Sequence, residues 1–273
     1  MLSESKNLKG YLLENADGQI GKVKEFYFDD QYWAVRYLVA DTGNWLTGRQ
    51  VLISPYALEE VNSDANFIWV DLTRKQIENS PSLSSDKPVS RQFEKSYFDF
   101  YHYPLYWSGS YLWGYSPFLD RNKKNCRQSA KNKRTWDPHL RSTRDVIGHH
   151  VEASDGMIGH ISDFIIDDSS WAIRYLVVDT RKWWGGCKVL VSPQWVSRVS
   201  WPESKVYIDL TREKIRQSPK FQGKMPLKRD YESKLHKHYG REVYWVGEQA
   251  AGDSLHGLRR RSPGEEIMNL DSK

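Results

Sequence analysis

The chain has 273 residues, 39% of them apolar and 14% aromatic, a length and composition that suit two globular domains of ordinary size. No apolar run approaches the roughly 18–20 residues of a membrane span, and the mixed-charge start Met1-Leu2-Ser3-Glu4-Ser5-Lys6 holds no signal-peptide core, so a cytoplasmic protein without a transmembrane segment is expected. Cys126 and Cys187 make no CxxC pair, which excludes a disulfide scaffold, and the net charge of +5 comes mostly from one basic stretch.

In chain order, residues 10–14 and 20–28 read as strands joined by a turn at Asn15-Ala16-Asp17-Gly18, with Gly supplying positive φ. Asp29-Asp30 makes the next turn. Trp33–Ala40, β-branched and aromatic with Arg36 as its one charge, reads as a buried strand. Asp41–Gly48 is a longer turn around Trp45. Arg49–Ile53 is a further strand stopped by Ser54-Pro55, and Phe67–Val70 a last short one. Thr73 and Gln76 have capping-box spacing, so a helix of about two turns should run from there to Ser80-Pro81.

All of this occurs twice. Adding 138 to a residue number between Gly10 and Pro81 gives its counterpart between Gly148 and Pro219, and about 31 of the 72 pairs are identical with no gap. The shared positions include Gly18, Gly21, Trp33, Arg36, Asp41 and Pro55, matched by Gly156, Gly159, Trp171, Arg174, Asp179 and Pro193. They read as scaffold: glycines in turns, Trp33 and Trp171 in a barrel mouth or core, Arg36 and Arg174 paired with Asp41 and Asp179. Short strands with turns every eight to twelve residues indicate a small antiparallel sandwich or barrel, whose closure protects its edges.

The string DGxIGxxxxFxxDDxxWAxRYLVxDT, followed by VLxSP and DLTR, resembles the PRC-barrel family. That family includes the cytoplasmic domain of the photosynthetic reaction-centre H subunit and the C-terminal domain of the ribosomal small-subunit maturation factor. The resemblance implies a mainly β fold of two tandem small antiparallel barrels, each followed by a short helix and an extended aromatic tail. It also implies binding of other macromolecules and supplies no catalytic residue. Expected units are 1–119 and 143–247, a basic flexible linker at 120–142, and a disordered tail at 248–273.

The fixed offset continues through Arg91, Glu94, Tyr106 and Trp107 to Arg229, Glu232, Tyr244 and Trp245. Beyond Phe93 the first copy is crowded with aromatics, and two readings stand. Either the segment folds back onto the barrel, or Tyr97, Phe98, Tyr101, Tyr103, Tyr106, Trp107 and Trp113 form a surface for a protein partner, a second subunit or a membrane surface. In the linker, Lys123, Lys124, Arg127, Lys131, Lys133 and Arg134 are either solvated or face phosphate on RNA or anionic lipid.

His149, His150, His160, His236 and His238 lack tetrahedral ligand spacing and read as surface or turn residues. No nucleophile elbow, phosphate loop, HExxH or paired Cys/His set is present. The expectation is a non-enzymatic adaptor or assembly protein without cofactor, peripheral to a photosynthetic reaction-centre or electron-transfer complex. The alternatives are a ribosome- or RNA-associated factor and, behind it, a small enzyme or metal protein.

Overall fold

The computed structural model describes residues 1–46, 49–81, 89–121, 139–180, 187–223 and 226–259. In the first copy, β1 (Leu2–Glu4) and a one-turn helix α1 (Ser5–Leu8) precede β2 (Leu12–Asn15), β3 (Gly18–Asp29), β4 (Ala34–Asp41) and β5 (Gln50–Ile53). A 3-10 turn at Pro55–Ala57 leads to β6 (Leu58–Asn62), β7 (Phe67–Val70), α2 (Arg74–Glu78) and α3 (Arg91–Tyr101). The second copy repeats the series. It contains β8 (Leu140–Ser142), α4 (Thr143–Val146), β9 (His150–Ala153), β10 (Gly156–Asp167), β11 (Ile173–Asp179), β12 (Lys188–Val191), β13 (Val196–Ser200) and β14 (Lys205–Ile208). The helices α5 (Arg212–Arg216), α6 (Arg229–Tyr239) and α7 (Tyr244–Arg259) follow.

Local chemistry sets these boundaries. The Thr73–Gln76 capping box forms, with both reciprocal bonds present; Thr211 caps α5 alone, because Lys214 stands where Gln76 does. Ser54 and Ser192 each accept from the backbone N–H two residues on, and Pro55 and Pro193 open the 3-10 turns that end β5 and β12. Gly21 and Gly159 mark a close approach of two strands. A Cβ there would lie 2.5 Å from the Asp41 carbonyl oxygen and 2.2 Å from that of Asp179, at φ of 153° and 156°. Only glycine fits that crossing.

The fold is mainly β, with two seven-stranded sheets of identical order, β5-β4-β3-β2-β7-β6 and β12-β11-β10-β9-β14-β13. Two features differ from the expected closed antiparallel barrel. The β2–β7 and β9–β14 ladders are parallel, and each sheet stays open between its end strands. The Ser-Pro turn accounts for the opening: Pro55 has no N–H to continue a ladder, and the chain leaves β5 to build the β6–β7 hairpin beside β2.

The seventh strand of each sheet comes from the other copy. Leu2–Glu4 pairs with Ile165–Asp167 of β10, and Leu140–Ser142 pairs with Tyr27–Asp29 of β3. The exchange is bonded by side chains too: Ser5 Oγ donates to Asp163 at 2.5 Å, and Ser142 Oγ donates to Glu25 at 2.5 Å. Thus the last three residues of the expected linker are a strand of the first sheet. They form a ladder because β3 presents an unpaired edge beyond β2.

The copies also meet at a pseudo-two-fold axis through the Ala34–Ala172 bridge. Val35 N–H donates to the Trp171 carbonyl at 2.8 Å, and Ile173 N–H to the Trp33 carbonyl at 2.7 Å. Trp33 and Trp171 adopt φ of 53° and 57°, a left-handed conformation costing on the order of 1–3 kcal/mol each. The reciprocal hydrogen bonds and ring packing offset that cost: Phe28 stacks on Trp33 at 5.4 Å and meets Phe164 at 5.6 Å, while Phe26 meets Trp171 at 6.3 Å. The two tryptophans therefore seal the junction between copies rather than a barrel mouth, and one continuous core runs through both. The expected disordered tail at 248–273 is also corrected in part, because α7 carries helix to Arg259. No helix among the described residues is long and apolar enough to cross a membrane.

Candidate binding cleft

Arg36 and Arg174 organise the two ends of this junction. Their partners are Asp29 at 3.2 Å and Asp167 at 3.0 Å, not Asp41 and Asp179. Strand periodicity explains the correction: Asp41 is five residues from Arg36 on β4 and so points to the opposite face. Asp29 lies opposite Ala34 in the β3–β4 register, two residues from Arg36 and on its face. Asp41 instead accepts from Gly43 N–H at 3.1 Å.

Arg36 is fully buried. Its guanidinium donates to the Leu112 carbonyl at 2.6 Å and lies 4.0 Å from the Tyr106 ring and 4.6 Å from the Trp113 ring. Beside it Glu94, also fully buried, accepts from Tyr37 and Tyr106 hydroxyls at 2.9 and 2.6 Å and pairs with Arg91 at 3.3 Å. Arg174 keeps the Asp pair and the Tyr ring, here Tyr244 at 4.1 Å, but the Leu112 carbonyl is replaced by the Glu248 carboxylate of α7 and, among the described residues, no ring stands in the place of Trp113. Burial works against charge on Asp167, yet Arg174 and the hydroxyls of Ser169 and Ser170 outweigh it and hold the carboxyl below its ordinary range. Glu232, the counterpart of Glu94, is raised, because burial dominates over Arg229 and the Tyr175 and Tyr244 hydroxyls.

The aromatics of the first tail are bound up in this core. Tyr97, Phe98, Tyr101, Tyr103, Tyr106 and Trp113 are buried, and Trp107 is partly buried under Arg91 at 4.4 Å. As a ready-made partner surface six of the seven are corrected by burial: α3 turns Tyr97, Phe98 and Tyr101 inward, and the chain after it folds Tyr103, Tyr106 and Trp113 onto the same core. Tyr97 Oη donates to the Leu52 carbonyl at 3.0 Å and accepts from Ser54 N–H at 2.9 Å. Apart from Phe100 on α3, what the same tail leaves exposed is Tyr111 (38%), Tyr115 (69%) and Phe118 (45%). Lys123, Lys124, Arg127, Lys131, Lys133 and Arg134 lie outside the described residues. Of the histidines, His236 is buried in α6 rather than on the surface: Nδ1 meets the Glu242 carbonyl at 2.7 Å and Nε2 the Tyr175 hydroxyl at 3.0 Å. Burial pushes its pKa down.

Between the copies lies a cleft of 680 Å³. Its floor is Trp33, Ala172 and Ile173; the Asp30–Tyr32 turn and Tyr111 form one wall, and Gln194, Arg198 and α7 the other. The ionisable groups inside it are committed to structure. Asp30 pairs with His139 at 2.8 Å and Arg141 at 3.1 Å, with burial raising its pKa against these two partners. Arg174 is neutralised by two carboxylates. Arg198, at the rim, is exposed and lies 4.1 Å from the Tyr207 ring. Such a site offers an apolar floor, backbone carbonyls, an amide and one rim cation. Gln194, Arg198 and Glu248 were not singled out from sequence. The 138-residue register shows them replacing Tyr56, Glu60 and Ser110, but only the fold reveals that all three share a cleft with Arg174. Among the described residues no group of three or more His, Cys, Asp and Glu could hold a metal ion.

Paired sheets and strand exchange define a fused pseudo-dimer of two small β domains. Residues 3–77, within the first copy, match the family model described as PRC-barrel domain. The second copy, outside the matched residues, repeats its strand order. A binding or assembly role follows at the level of the family. No curated protein matches the chain.

Proposed function

We propose that this protein is a non-enzymatic adaptor that assembles a protein complex through the inter-copy cleft and the exposed Tyr111–Phe118 edge beside it. The observation that carries the reading is the cleft itself, whose buried ionisable groups are tied into fold-supporting pairs while its apolar floor and aromatic edge stay open. Tyr and Trp at such edges are the side chains that concentrate interface energy. In its specific form, drawn from the resemblance to the reaction-centre H subunit, the partner is a photosynthetic or electron-transfer complex with the protein peripheral to it.

Affinity purification of tagged full-length protein from its native host, in low and moderate salt, with protein and RNA both analysed, tests this. The adaptor reading expects a protein partner that survives moderate salt and is lost in a Tyr111→Ala/Tyr115→Ala/Phe118→Ala variant. Recovery of RNA alone, falling steeply as salt rises, would replace it with the ribosome- or RNA-associated reading.

A further inference from the structure

The two ends of the pseudo-symmetric junction are not equally occupied, and the occupied one shows what the open one takes. In the first copy the chain's own arm lies across the junction. Trp113 donates its indole N–H to the Ser170 carbonyl at 2.9 Å, meets the Tyr56 ring at 5.4 Å and covers Arg36 at 4.6 Å. Eight residues further along, Arg121 is exposed at the end of the arm; desolvation lowers its pKa and the Glu59 charge opposes that shift.

Shifting the Trp113 contacts by 138 gives Tyr32 for Ser170, Arg174 for Arg36 and Gln194 for Tyr56. All three line the 680 Å³ cleft. The rim residues shift likewise, Glu59-Glu60 becoming Ser197-Arg198, and these line the cleft as well. Residue 251, at the same offset from Trp113, is an alanine in α7, so the second copy supplies no aromatic plug.

We infer that the cleft is the unfilled counterpart of the Trp113 socket and takes an extended polypeptide segment of a partner protein. That segment carries an aromatic side chain with an N–H or O–H donor and, about eight residues on, an acidic residue. The aromatic sits over Ala172 and Ile173 beside Arg174 and reaches the Tyr32 carbonyl. The acid meets Arg198, because the rim charge is inverted between the copies, Glu59-Glu60 of the first becoming Ser197-Arg198 in the second. Arg174 needs no carbonyl from the partner, since Glu248 already occupies the donor that Arg36 gives to Leu112. This assignment rests on the adaptor reading and names the chemistry of its partner.

The probes are three labelled peptides: residues 109–121, the same peptide with Arg121→Glu, and that acidic peptide with Trp113→Ala. Each is titrated by fluorescence anisotropy against the full-length protein up to millimolar concentration. The acidic peptide should bind roughly threefold more tightly than the parent, the range of a rim ion pair, and lose about tenfold or more with Trp113→Ala. Arg198→Glu in the protein should invert the preference for the acidic peptide, and Gln194→Trp should abolish binding by filling the cleft.

Absence of binding by all three peptides would overturn the assignment, as would binding unaffected by Gln194→Trp. So would binding equally strong without the indole, or self-association of the protein that Gln194→Trp removes, which would make a second copy the occupant. A native partner that co-purifies undiminished with the Gln194→Trp protein leaves the adaptor reading in place and removes only the cleft assignment.

Discussion

Replacing Arg36 by Met separates the ion-pair role of this side chain from its bulk. Arg36→Met keeps most of the volume but leaves Asp29, 2% exposed, without its cation. Asp29 would retain two backbone donors, Gln31 N–H at 2.8 Å and Tyr32 N–H at 3.3 Å. Breaking a buried pair on one side costs about 3–5 kcal/mol, and the remaining donors put the expected loss near the lower end, about 3 kcal/mol. The Leu112 carbonyl loses its donor as well, so the arm should become a faster target for proteolysis. Arg174→Met should cost somewhat less, about 2–3 kcal/mol, since Asp167 keeps the Ser169 and Ser170 hydroxyl donors and the Glu248 side chain is 25% exposed and can hydrate. Asp29→Asn combined with Arg36→Met should return to within about 1 kcal/mol of the parent, because neither charge is then left alone. Urea unfolding followed by tryptophan fluorescence, with linear extrapolation, measures all four proteins. A loss below 1 kcal/mol for Arg36→Met, or a double variant no better than the single, would refute the reasoning.

Three further outcomes are expected. Cysteines at Ser3 and Ile166, which face each other in the exchanged ladder, should form an intrachain disulfide in a Cys126→Ser/Cys187→Ser background; a disulfide found only between chains would contradict exchange within one molecule. His236 is held below its ordinary pKa by burial, so its contribution to stability is complete above about 6.5 and is lost as pH falls toward its folded value. His236→Phe, the residue of the first copy (Phe98), should flatten the stability profile between pH 7 and 5, and an unchanged slope would show that another group titrates there. Gly159→Ala should destabilise by about 2–4 kcal/mol through overpacking and left-handed strain, since its Cβ would lie 2.2 Å from the Asp179 carbonyl oxygen; a thermal melt within a degree of the parent would refute it.

Most of the sheet was legible because its signals are local. The turn at Asn15–Gly18, the Ser-Pro stops and the Thr73 cap each act within a few residues, and their recurrence at a fixed offset made them stand out. Strands β1 and β8 were not legible: each has three residues, and each pairs with a strand of the other copy. For β1 the partner is more than 160 residues away. The Arg36 partner was misassigned for a geometric reason, as a repeated Asp five residues along the same strand cannot share its face. The aromatic tail could be read either as core or as surface because composition does not say which way α3 rolls. Its helical turn places Tyr97, Phe98 and Tyr101 inward and leaves Phe100 39% exposed. The cleft could not be read at all, since its walls come from Tyr32, Tyr111, Gln194 and Glu248, four separate segments brought together by the pseudo-two-fold axis.

The most direct test of the binding account places a photo-crosslinking amino acid at Gln194 in the cleft and, as a control, at exposed Glu78 in α2, in protein expressed in its native host. The account predicts a protein adduct from position 194 and none from 78, with the crosslinked peptide carrying an aromatic residue followed by an acidic one. Adducts to RNA from position 194, or a partner captured from 78 while 194 stays silent, would contradict it.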